Sequence, residues 1–134
     1  VLFRSKGDYR FLYTLLSQRR SSVNISHKKM PTYAEHIRFV KSKPYSKWYI
    51  LSYQRKKIGA IYLSKQNEIG IHLLRGYEKK PIYLQTIKEL IIQNRREKFL
   101  VNISPKNRKY IHIFKKLGFI MIQHTYELDM RSNF

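Results

Sequence analysis

Between residues 67 and 94 the spacing of apolar positions changes period. Ile69, Ile71 and Leu73 alternate around Gly70 and His72, the period-two signature of a half-buried strand. After a basic turn, Tyr83, Ile87, Leu90, Ile91 and Asn94 recur at threes and fours, with Lys88 and Glu89 turned outward. That spacing predicts an amphipathic helix. Pro81 suits the first helical position, where its missing N–H would be unpaired anyway. A strand that delivers its carboxyl end to a helix N-terminus makes an anion site, because open backbone N–H groups and the helix dipole converge there. Lys79 and Lys80 stand at that point, so a phosphate-bearing ligand is expected here.

The rest of the chain is read around this unit. Residues 1–4 form a short edge strand, and a helix runs from Gly7-Asp8 through Gln18 with Phe11, Leu12, Leu15 and Leu16 inward. Residues 19–24 read as a polar breaker. Thr32, with Glu35 three residues on, has capping-box spacing. It opens a second helix that turns Ile37, Phe39 and Val40 inward and ends before Lys43-Pro44. Trp48 to Ser52 and Ile58 to Leu63 form a hairpin over the turn at 54–57. Its aromatics Tyr45, Trp48, Tyr49 and Tyr53 are expected to pack across strands, the alternative being that they stack an acceptor ring. Residues 99–103, FLVNI, read as a strand covered on both faces. Asn107 caps a further helix with Ile111, Phe114 and Leu117 inward, and Gly118 closes it. Residues 119–130 read as one long last strand, with a tail after it. The crossover from Glu68 to Ile103 makes the two strands it joins parallel. The expected architecture is α/β: a mixed, mostly antiparallel central sheet with flanking helices, in a single domain over residues 1–134.

Composition narrows the chemistry. Hydrophobic residues at 43% and aromatics at 14% supply a real core and exclude a disordered tail. With no cysteine there is no disulfide and no thiolate metal site, which fits a cytoplasmic protein. No apolar run approaches the ~20 residues that span a bilayer, so no membrane association is expected. The five histidines lack metal-ligand spacing, and no metal is expected. His36 and His124 read as satisfied or exposed imidazoles, or as lining of an acceptor pocket. Twenty-eight Lys and Arg against eight acids leave a net charge of +20, a field that attracts polyanions. The basic doublets are scattered, and no exposed aromatics are interleaved with them as in stacking platforms. Nucleic acid is therefore an open partner class that the pattern does not favour.

The element order, with NEIGIHLL at 67–74 and SPKNRKYIHIFKKLGF at 104–119, resembles the GNAT superfamily of acyl-CoA-dependent N-acyltransferases over nearly the whole chain. The first segment resembles the fourth-strand motif of the ribosomal-protein N-terminal acetyltransferases. The second resembles the family's helix that opens on Asn and closes in Lys-Leu-Gly-Phe. EHIRFV at 35–40, with YSKWYIL after it, resembles members that acetylate amino groups of nucleotide-linked sugars. The resemblance implies that the two central parallel strands splay and that the pantetheine of acetyl-CoA lies between them. It would lie along Ile71, His72 and Leu73, with Asn107 and Phe114 as further contacts. The pyrophosphate would sit in the loop that holds Glu78, Lys79, Lys80, Ile82 and Tyr83. The implied acceptor is a primary amine, on a nucleotide-linked sugar or at a protein or peptide N-terminus.

Acyl transfer to an amine needs the amine neutral, the thioester carbonyl polarised and the departing thiolate protonated. Glu68 is the acid near the implied splay and reads as the base, or equally as a strand-end carboxylate paired with surplus lysine. The family's usual late-helix Tyr is Phe114 here, so Tyr110, one turn earlier, is the substitute acid candidate. The loop has Lys79, Pro81 and Tyr83 where the family has glycines. Either the lysines replace lost main-chain contacts with charge, or the loop has lost its ligand. The second outcome would leave a GNAT-fold module without catalysis that binds nucleic acid or another polyanion. Only fifteen residues follow Phe119, where the family continues through two strands. A missing last strand leaves an edge that a second copy would cover, giving a homodimer.

Overall fold

The computed structural model describes residues 2–4, 8–22 and 30–133. Its sheet has four antiparallel strands in sequential order: β1 (Leu2–Arg4), β2 (Lys47–Tyr53), β3 (Lys56–Leu63) and β4 (Ile69–Leu73). Helices α1 (Tyr9–Ser22) and α2 (Tyr33–Lys41) precede the β2–β3–β4 meander. Helices α3 (Lys80–Gln93), α4 (Arg108–Lys116) and the short α5 (Met130–Asn133) follow it.

The meander forms because each strand finds its partner next in sequence. Gln54 and Arg55 both take positive φ (49° and 63°), the primed turn geometry whose twist matches a two-residue hairpin. Residues 53 and 56 then pair. Alternation does the rest. Tyr49, Leu51, Ile61, Leu63, Ile69, Ile71 and Leu73 share a core with Ile87 and Leu90 of α3 and Ile113 and Phe114 of α4. Ile50 and Ala60 share a second, smaller core with Leu12 and Leu15 of α1. The sheet is thus covered on both faces. Asn94, which caps α3, is buried but satisfied: its Nδ2 donates to Tyr49 Oη at 3.1 Å and to the Leu90 carbonyl at 3.0 Å.

Several expectations are corrected. Residues 19–22 continue α1 rather than breaking it, since Arg-Arg-Ser-Ser contains neither Gly nor Pro. The capping box at Thr32 and Glu35 forms, with Glu35 N donating to Thr32 Oγ1 and Thr32 N to Glu35 Oε1. Yet the inner stripe of α2 is Tyr33, His36, Ile37 and Val40. His36 is 4% exposed, whereas Phe39, at 46%, is only partly covered and packs its ring edge-on against Tyr45 and Trp48. Residues 99–103 are not a covered strand; among the described residues they make one parallel bridge, Glu68 to Leu100. Residues 119–130 are not a strand either: 119–129 have no regular structure, and Met130 opens α5, which takes in the expected tail as far as Asn133. Val1, Gly7, residues 23–24 and Phe134 lie outside the described residues.

Candidate active site

The parallel contact opens immediately after it forms. Ile69 N donates to the Leu100 carbonyl at 2.8 Å and Leu100 N to the Asn67 carbonyl at 2.9 Å. Beyond Leu100 the described residues show no further ladder bond to β4. Main-chain polar groups alternate sides along a strand. Ile71 and Leu73 therefore turn their N–H and C=O to the same side as Ile69, into the wedge. The main chain of His72 faces β3 instead, opposite Ala60. Tyr110, from the first turn of α4, reaches the wedge: its Oη donates to the Ile71 carbonyl at 3.4 Å. Its ring meets Tyr83 on one side and Phe114 on the other, with centroids 5.4 and 5.1 Å away.

A basic cluster lies where β4 leads into α3. Gly76 (φ +91°) permits the turn that brings Tyr77 N to the Leu74 carbonyl at 3.0 Å. Lys79 is the N-cap of α3, and no side chain caps that end. Ile82 N and Tyr83 N are both engaged by the Lys79 carbonyl, at 3.0 and 3.1 Å, and Pro81 has no N–H. What this loop offers an anion is chiefly side-chain charge. Lys80 Nζ lies 3.0 Å from His112 Nε2, and Lys109 Nζ donates to the Glu78 carbonyl. Desolvation, and next the nearby Lys116 ammonium, hold the Lys80 pKa below the ordinary lysine value. Like charges gathered this way are what a bound phosphate would relieve. Burial, with Glu78 second, pushes the Tyr83 phenol up to about 12, so it stays a proton donor.

A cavity of about 320 Å³ lies on the other face of the sheet. Its walls include Leu12, Leu15 and Leu16 of α1, His36 and Phe39 of α2, Trp48 of β2, Ala60 and Tyr62 of β3, and His72 of β4. Gly70 leaves the space that Tyr62 fills: a Cβ there would stand 2.1 Å from the Tyr62 ring.

The structure brings Ile71, Leu73, Tyr110 and Tyr83 to one wedge and Glu78, Lys79, Lys80 and Ile82 to the basic mouth where β4 leads into α3. Glu68 lies at the closed end, half-buried, its N donating to Ser64 Oγ at 2.9 Å. No lysine pairs with its carboxylate among the described residues. Asn107 acts as the N-cap of α4, accepting from Tyr110 N at 3.1 Å. Phe114 is 1% exposed, in the core beneath Tyr110, and supports that ring from below. Lys109, His112 and Lys116 were missed as members of the basic cluster. Their spacing of three and four along α4 was the signal that could have found them.

A meander whose last strand is splayed from its parallel neighbour, followed by a helix that starts at the mouth, is the fold of the GNAT superfamily of N-acetyltransferases. An N-acetyltransferase from Staphylococcus aureus Mu50 matches with a TM-score of 0.74 at 16% identity, over 89% of this chain and 82% of that one. A ribosomal-protein-alanine N-acetyltransferase from Brucella melitensis matches with a TM-score of 0.74 at 11% identity, over 88% and 83%. The yncA acetyltransferase of Salmonella typhimurium, solved with its cofactor acetyl-CoA, matches with a TM-score of 0.73 at 11% identity, over 89% and 78%. At these identities the likeness is one of fold. No family model and no curated protein matches the sequence.

Proposed function

We propose that the chain is an acetyl-CoA-dependent N-acetyltransferase acting on a primary amine. The observation that carries this reading is the open edge of β4 at Ile71 and Leu73, set beside a basic helix start. The residues present suit acetyl-CoA: edge N–H and C=O groups for the pantetheine amides, and Lys79, Lys80 and Lys109 for the phosphates. Bound there, acetyl-CoA supplies an activated acyl group: the amine nitrogen gains a C–N bond as the C–S bond breaks, and the amine's proton ends on sulfur. Glu68, without an ion partner among the described residues, takes the ammonium proton through water. The Leu73 N–H holds the thioester oxygen. Tyr110 Oη, which donates to the Ile71 carbonyl at the wedge, would supply the proton to the departing sulfur. Asn107 fixes Tyr110 by capping its helix.

Of the two acceptors suggested by resemblance, the amino group of a protein or peptide N-terminus suits the cavity better than a nucleotide-linked sugar. Among the described residues no Lys or Arg lines it. The cysteine-free chain is assigned to the cytoplasm. A second copy is the partner proposed for the exposed residues 120–128, so solution scattering should give a mass near twice 16.3 kDa; a clean monomer removes the dimer.

Thermal shift with acetyl-CoA and with an RNA oligomer, each at two salt concentrations, tests the reading. Stabilisation by the cofactor that survives salt is expected. A shift only with RNA, lost in salt, would replace the enzyme with a polyanion-binding module.

A further inference from the structure

We infer that the cavity across β4 receives the acceptor, and that the acceptor is a primary amine carried on an aromatic or similarly flat apolar body. The inference rests on the acetyltransferase reading for the fate of the amine, but the binding claim stands on the cavity itself. His72 joins the two sites. Its side chain lines the cavity, while the residues on either side of it, Ile71 and Leu73, open their main chain to the wedge. An amine held against His72 is therefore beside the strand edge where the acyl group would lie.

The chemistry of the walls selects the ligand. One side is a continuous aromatic surface. Tyr45 and Tyr62 stack at 3.8 Å with 7° between their planes, Trp48 meets Tyr45 edge-on at 4.8 Å, and Phe39 meets Trp48 at 6.2 Å. The other side is aliphatic, from Leu12, Leu15 and Leu16. A flat apolar group between them buries area on both faces and gains ring contacts. In a chain with 28 Lys and Arg, Glu35 is the one charged side chain among the described residues of these walls, which favours an ammonium and disfavours a phosphate. A polyamine would have to leave several charges unpaired against apolar walls. The volume of about 320 Å³ is at the small end of the roughly 300–1,000 Å³ that ligand pockets occupy.

One polar group in the wall lacks its partner. His36 is 4% exposed, and its Nε2 has no hydrogen-bond partner among the described residues. Burial lowers the pKa of the imidazole, against a smaller opposing pull from the Tyr9 main chain, and so favours the neutral ring. A neutral ring so oriented has a lone pair at Nε2 for an N–H donor. The amine or an amide N–H of the acceptor supplies it.

Trp48 is the chain's one tryptophan and lies in the wall, so its fluorescence reports occupancy without turnover or cofactor. Phenethylamine should give a saturable change that spermidine and glucosamine phosphate do not. Ala60→Leu, which fills the cavity, should weaken phenethylamine by about tenfold or more. His36→Leu should weaken it as well, and His36→Gln should recover part of the loss; these two serve if Ala60→Leu fails to fold. No saturable change with phenethylamine, or an equal response to all three amines, overturns the inference. Thermal shift with coenzyme A runs alongside. A coenzyme shift without a Trp48 response discards this acceptor class and keeps the transferase; a Trp48 response without a coenzyme shift does the reverse.

Discussion

The β2–β3–β4 meander and residues 99–130 carry equally clear apolar patterns and meet different ends. In the meander a two-residue turn joins β2 to β3 and residues 64–68 join β3 to β4, so loop closure costs little and both ladders complete. Ile120, Ile122, Tyr126 and Leu128 alternate just as regularly, yet stand 81%, 70%, 88% and 61% exposed. The segment closest in topology, residues 99–103, is itself held by one bridge, and α4 intervenes. Alternation chooses which face a strand would bury; an available edge decides whether it becomes a strand. The shortfall has a use. Because residues 101–103 leave β4 unpaired, Ile71 and Leu73 keep main-chain groups open to a ligand.

The contrast can be broken by mutation. Ile61→Ala, in the middle of β3 at 0% exposure, should cost about 2–5 kcal/mol in urea denaturation. Ile122→Ala should stay within about 0.5 kcal/mol under conditions where the chain is monomeric. Equal losses would mean that the C-terminal segment is packed after all. Gly70→Ala should cost about 1–3 kcal/mol, because the new methyl must displace a Tyr62 ring that is stacked on Tyr45. Thr32→Ala removes half of a capping box and should cost about 1 kcal/mol by the same assay. The smallest effect expected is a pH dependence. Burial lowers the folded-state pKa of His36 from its ordinary 6.5, so the unfolded chain binds that proton first as pH falls. Stability should therefore decline as pH drops from 6.5 toward the lower folded value, and His36→Gln should flatten the slope across that window. An identical slope in the variant would assign the effect elsewhere.

What was legible in the sequence was local. The strand–turn–helix unit, the hairpin and the Thr32 capping box depend on residues within a few positions of one another, and all three form. The wedge followed only from resemblance, since no spacing within residues 99–103 reveals where pairing stops. Lys109, His112 and Lys116 made a visible stripe, but only the packing of α4 beside the start of α3 brings that stripe to Glu78 and Lys80. His36 looked like any imidazole on a polar helix face until α1 and the aromatic wall closed around it. The cavity combines segments more than forty residues apart, from Leu12 to His72, and no one-dimensional pattern encodes it.

Amide chemical shifts during an acetyl-CoA titration test the central claim most directly. The Ile71 and Leu73 N–H resonances should move with saturation, while the His72 N–H, turned toward Ala60, stays nearly fixed. Movement confined to surface lysine segments, with Ile71 and Leu73 unchanged, would contradict a thioester carrier in the wedge.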